Sequence, residues 1–158
     1  MRKNCLFKDM RSLVYLLFVL GCPLFLLGQV EMPSSFLQSR WEAQWISVPD
    51  TDTRAYGVYL FRKSIELDTV PETFPIYVSA DNRYKLYVNS ELVSLGPARG
   101  DLFHWSFEQV DIAPYLQSGK NSIAARVWNE AELRPEAQIS YQTGFILQGG
   151  NSEAEVLN

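Results

Sequence analysis

Asp81-Asn82 is the side-chain pair in this chain best suited to hold a polar ligand. A carboxylate beside a carboxamide presents several acceptors and two donors, a set that matches adjacent hydroxyls on a sugar ring. The same residue types also hold turns by bonding nearby backbone, so a turn-forming role competes with ligand contact. Downstream, Phe103, His104, Trp105 and Phe107 crowd one short stretch. Aromatic rings cover the C–H faces of sugars, and an indole N–H can donate a hydrogen bond. Of these four, His104 and Trp105 are the ligand candidates. Phe103 and Phe107 are expected to plug one end of the fold or dock onto a neighbour. Asn129, followed by Glu130 and Glu132, could rim the same site, while large Trp128 is expected in the core.

Other chemistries find less support. Hydrolysis of a glycoside with inversion needs two carboxyl groups roughly 6.5–9.5 Å apart. With 18 Asp and Glu in the chain, some pair meets that distance by chance. His104 is the sole histidine, which excludes a histidine metal cluster, and no nucleophile elbow accompanies it. Both cysteines, Cys5 and Cys22, lie near the N-terminus, so the remainder has no disulfide and no thiol nucleophile. No Asp-x-Asp-x-Asp loop occurs, yet calcium, which takes six to eight oxygens, remains compatible with the acids and amides present. Arg99-Gly100-Asp101 spells an integrin-binding tripeptide, a match common by chance.

The first 28 residues read as a signal peptide. Arg2, Lys3, Lys8 and Arg11 precede an apolar run from Leu13 to Leu27, and Gly28 before Gln29 offers a cleavage point. The run is short of the ~20 residues that span a bilayer. The expectation is a secreted or periplasmic protein; the alternative is a lipid anchor on Cys22. Beyond Gly28 the charge is 10 Lys and Arg against 17 Asp and Glu, which argues against a nucleic-acid partner.

The elements that must position the candidates follow a period of two. Tyr59, Phe61, Ile65 and Leu67 share a face, with Lys63 the exception; Phe74, Ile76, Val78 and Ala80 alternate next, then Tyr84, Leu86 and Val88. Ile123, Ala125 and Val127 form another face, as do Ile139, Tyr141, Thr143, Phe145 and Leu147. Asn89-Ser90 reads as a hairpin turn, and residues 112–117 as one helical turn capped by Asp111. The expected organisation is a polar leader at 29–40, one domain at 41–150 and a polar tail at 151–158. The expected fold is all-β, an antiparallel β-sandwich of jelly-roll type.

From Ala80-Asp81-Asn82-Arg83-Tyr84-Lys85-Leu86-Tyr87-Val88-Asn89, through Gly96-Pro97-Ala98-Arg99-Gly100-Asp101 and Asp111-Ile112-Ala113-Pro114-Tyr115-Leu116, to Val127-Trp128-Asn129, the chain carries a recognisable pattern. It resembles the N-terminal β-sandwich of bacterial α-L-rhamnosidases, inverting glycoside hydrolases, over about residues 45–148. The resemblance implies a galactose-binding-like sandwich without catalytic residues, since that family's acid and base belong to a separate (α/α)₆ barrel. Bracing of that barrel and contact with rhamnose-containing glycans are the roles it implies. It also implies that the chain stops at Asn158 short of further sandwich strands. Related rhamnose-binding modules use an Asp-Asn pair at the position of Asp81-Asn82, with calcium nearby. Two other readings stay open: a free-standing carbohydrate-binding module for rhamnosides, and a structural domain with no sugar site.

Overall fold

Alternating apolar residues become strands wherever their inward side chains find a facing layer. In the computed structural model, which describes residues 40–158, these strands are β1 (Gly57–Leu67), β2 (Pro75–Asp81), β3 (Arg83–Val88), β4 (Glu91–Gly96), β5 (Glu108–Asp111), β6 (Gly119–Asn129) and β7 (Gly144–Gly149). The signal segment and all of the leader but Arg40 lie outside the described residues. The strands form two antiparallel sheets, ordered β1-β6-β3-β4 and β5-β2-β7. Every connection except the β3–β4 hairpin crosses from one sheet to the other, giving the expected all-β sandwich.

The core lies between the sheets. Tyr84, Leu86, Val88 and Val127 of the large sheet meet Ile76 and Val78 of the small one and Phe74 just ahead of β2, all fully buried. Each such side chain contributes about 1.5–3 kcal/mol by leaving water. Phe145 stacks on Phe61 at 5.5 Å and meets Tyr84 edge-on at 6.3 Å, tying the sheets together. Burial raises the Tyr84 phenol above its ordinary pKa, and its bond to Ser94 only partly offsets that.

At the hairpin, Asn89 and Ser90 take φ of 48° and 75°, the left-handed pair that a two-residue turn needs. Glycine is easiest at the second position. Here the turn is held by Asn89 instead, whose amide donates to Tyr115 O and Asn121 Oδ1 and whose oxygen accepts from Ser122 N. Asp111 Oδ1 accepts from Ala113 N and Phe74 N, but the helical turn shortens to a 3₁₀ turn at Ala113–Tyr115 whose N-cap is Ile112, so Asp111 stands one residue outside the cap it was expected to supply.

Three expectations are corrected. The last strand begins at Gly144, not Ile139, because the N–H groups of Tyr141 and Gln142 bond the Asp81 carboxylate rather than a neighbouring strand. Trp128 is only half-buried: it follows inward-facing Val127 and therefore points outward. Residues 151–158 are not a bare polar tail. Ala154 and Leu157 enter the core, and Asn158 Oδ1 accepts from Gly149 N at 2.7 Å.

The outer faces of the two sheets differ. On β2 the outward residues Tyr77, Ser79 and Asp81 are as buried as the inward ones. Trp41 packs on Phe107 at 5.2 Å and Phe107 on Tyr77 at 5.9 Å, while Ser79 Oγ donates to Ser106 O. Phe107 thus covers a sheet face rather than plugging an end, and Phe103 is left 90% exposed. On the large sheet, by contrast, Val58 and Leu60 stand in solvent.

Candidate functional site

Asp81 closes β2, and Asn82 is the single residue between it and β3 in the other sheet. Their joining peptide is cis. Both side chains are buried and both are engaged. Asp81 Oδ2 accepts from Tyr141 N at 2.6 Å and Gln142 N at 2.8 Å, and its Oδ1 accepts from Asn82 Nδ2 at 2.6 Å. Asn82 Oδ1 accepts from Glu130 N at 3.0 Å. The bonds to Glu130, Tyr141 and Gln142 reach about fifty to sixty residues along the chain, where turn-type bonds reach about two. The pair fastens both ends of the 130–142 loop to the sheet corner.

Asn129 belongs to the same network. Its Nδ2 donates to Thr143 Oγ1 at 2.9 Å, its Oδ1 accepts from Ala131 N at 2.8 Å, and Thr143 N bonds Thr53 O. Calcium does not fit at Asp81, because the three groups aimed at its oxygens are N–H donors, whereas calcium needs further oxygens. Among the described residues, no group of three or more His, Cys, Asp or Glu could hold a metal ion.

His104 stands apart from this network. Its side chain is 84% exposed, with Nδ1 3.0 Å from Asp101 Oδ2. Asp101 also accepts from the backbone N–H groups of Phe103 and His104. The hydrogen bond from His104, then that from Phe103 N, hold the Asp101 carboxyl below its usual pKa of 3.8. The Asp of the integrin-like tripeptide is therefore spent on its own loop.

Trp105 turns the other way and meets Trp45, ring centres 5.8 Å apart. Together they wall a cleft of about 260 Å³ with Tyr141, and Asp81, Gln142, Thr143 and Gly144 also line it. Of the five residues singled out from sequence, Trp105 and Asp81 share this cleft; Asn82 and Asn129 sit in the polar network beside it. Trp45 and Tyr141 were missed. The available signal was an aromatic in the segment ahead of β1 and another inside a polar loop, too common to stand out.

The described fold is similar to part of known enzymes. It matches the GH78 family rhamnosidase of Bacillus sp. GL1 with a TM-score of 0.64 and 26% identity, over 72% of this chain but 12% of that one. It matches the α-L-rhamnosidase from Dictyoglumus thermophilum with a TM-score of 0.52 and 20% identity, over 68% of this chain and 14% of that one, a likeness of fold alone. No family model and no curated protein matches the chain. The chain thus spans a small fraction of the enzymes it resembles, and it is a β domain of the kind associated with glycoside hydrolases.

Proposed function

We propose that this chain is a non-catalytic accessory sandwich of a secreted α-L-rhamnosidase-type glycoside hydrolase, and that it braces the catalytic barrel. The observation that carries the reading is the coverage of the Bacillus rhamnosidase match: most of this chain corresponds to 12% of the enzyme. The cleft adds support, since it presents one carboxylate, Asp81, already committed to backbone donors. Glycoside hydrolysis needs two, one of them free to move a proton.

The bracing surface is the outer face of the large sheet. Register places Leu60, Arg126, Lys85 and Leu95 side by side in one row. Like charges directly opposite on neighbouring strands repel, so the Arg126–Lys85 pair costs stability in the free domain. Among the described residues the only ion pair within 4.0 Å is His104–Asp101, so no described carboxylate forms an ion pair with that row. A partner presenting acids between apolar side chains would relieve the repulsion and cover Leu60 and Leu95 together.

The test is hydrolysis of an aryl α-L-rhamnoside by the purified chain. The expected result is no release of the aryl alcohol. Turnover that persists after removal of host glycosidases, and that vanishes when one acid of this chain is changed, would contradict the reading.

A further inference from the structure

The geometry points to the Trp45–Trp105–Tyr141 cleft as a binding site for a single pyranose ring of a glycan. This gives the accessory reading a ligand class, but it stands on the cleft alone and needs no catalytic barrel. Residues 45–47 lie beside β7 through a two-bond bridge, Ile46 N to Phe145 O and Phe145 N to Ile46 O, each 2.9 Å. That bridge seats Trp45, Ile46 and Ser47 along one wall of the cleft. Gly144 supports this placement: a Cβ there would stand 3.0 Å from Trp45 Cε3, so the indole lies close over bare backbone. Trp45 is 46% and Tyr141 58% exposed, although each has a partner. Arg54 sits 5.7 Å over the Tyr141 ring and steadies it from outside the cleft.

The polar groups select the ligand. Ser47 Oγ is, among the described residues, the one buried side-chain N or O atom without a hydrogen-bond partner. Native proteins seldom leave such a group unpaired without a reason. Ser47 as a residue is half-exposed, so rotation about its Cα–Cβ bond brings the hydroxyl into the cleft. Asp81 Oδ1 has accepted one hydrogen bond and keeps capacity for another. An acceptor-only carboxylate, a hydroxyl and the Gln142 amide between flat rings suit a molecule with vicinal hydroxyls and an apolar face. A proline-rich peptide also docks on aromatic clefts, but it offers carbonyl acceptors and few donors, which a carboxylate cannot use. Sugar chemistry fits better.

The experiment is a titration of the chain with methyl α-L-rhamnopyranoside, methyl β-D-galactopyranoside and methyl β-D-glucopyranoside, followed by two-dimensional NMR. A proline-rich decapeptide serves as the competing ligand. The expected result is saturable movement of the Trp45 and Trp105 indole N–H signals with at least one sugar, at a Kd of about 0.1–10 mM. Trp45→Ala should weaken binding at least about tenfold. Ser47→Ala should weaken it about three- to tenfold while the thermal midpoint holds or rises, because a hydroxyl that packs without a partner is better absent from the free fold. No saturable shift with any sugar overturns the site, as does binding unaffected by both substitutions. Binding of the peptide alone overturns the ligand class. Each of these outcomes leaves the barrel-bracing reading standing, and loss of bracing leaves this binding untouched.

Discussion

The two sheets treat their outer faces in opposite ways. Behind the small sheet, Trp41, Trp45, Trp105 and Phe107 form a third layer, and the outward side chains of β2 are as buried as the inward ones. Among the described residues no such layer lies behind the large sheet, and Leu60 is 75% exposed in a row that also juxtaposes Arg126 and Lys85. A domain of this size could cover either face. Among the described residues one face is covered and the other is left apolar and positively charged, and the proposed docking rests on that contrast.

The largest expected effect lies on the covered side. Asp81→Ala strips the acceptor from Tyr141 N, Gln142 N and the Asn82 amide. At about 1–3 kcal/mol for each donor left unpaired, with water rescuing part, urea unfolding should register a loss of about 3 kcal/mol. A loss under about 1 kcal/mol would mean that the corner network does not hold the fold. Trp41→Ala comes next. It removes the ring that packs on Phe107 and Tyr77, and the midpoint shift should correspond to about 2 kcal/mol.

On the bare side the same measurement should move little. Leu60→Asp and Arg126→Ala are each expected within about 0.5 kcal/mol of the parent. A large loss from either would place that face in the fold rather than at an interface, and the contrast between the sheets would collapse. The smallest effect concerns Asp101. Its carboxyl is held below its usual value by His104 and Phe103 N, so its contribution is present above pH 3.8 and fades as pH falls through the lowered value. The site is fully exposed, so the readout is the titration itself. NMR should place the Asp101 midpoint below 3.8, and His104→Ala should raise it towards 3.8. An unchanged midpoint in that variant would remove His104 as the cause.

Much of this fold was legible in sequence because a half-buried strand writes its period into its side chains. Phe74-Ile76-Val78-Ala80 and Ile123-Ala125-Val127 face inward as their alternation requires. Trp128 misled by size: its parity already pointed it outward. Tyr141 and Thr143 continue the alternation of β7, yet their N–H groups go to Asp81 and Thr53, partners that only the tertiary fold brings near. Ala154 and Leu157 are two apolar residues in a polar stretch, too few to show a period before the core receives them. Asp81-Asn82 stood out by chemistry, and its place beside a cleft agrees with that. Its bonds to the far loop could not be read from neighbours in sequence, nor could the meeting of Trp45, Trp105 and Tyr141.

The central claim is that the bare face of the large sheet docks on an enzyme. It is tested most directly by sedimentation velocity of this chain mixed with an α-L-rhamnosidase catalytic barrel stripped of its own N-terminal sandwich. The account predicts one faster species at low salt, weakened when added salt screens the Arg126–Lys85 row and lost in Leu60→Asp and Arg126→Glu. Two species sedimenting independently at every salt concentration, or a complex indifferent to both substitutions, would contradict it.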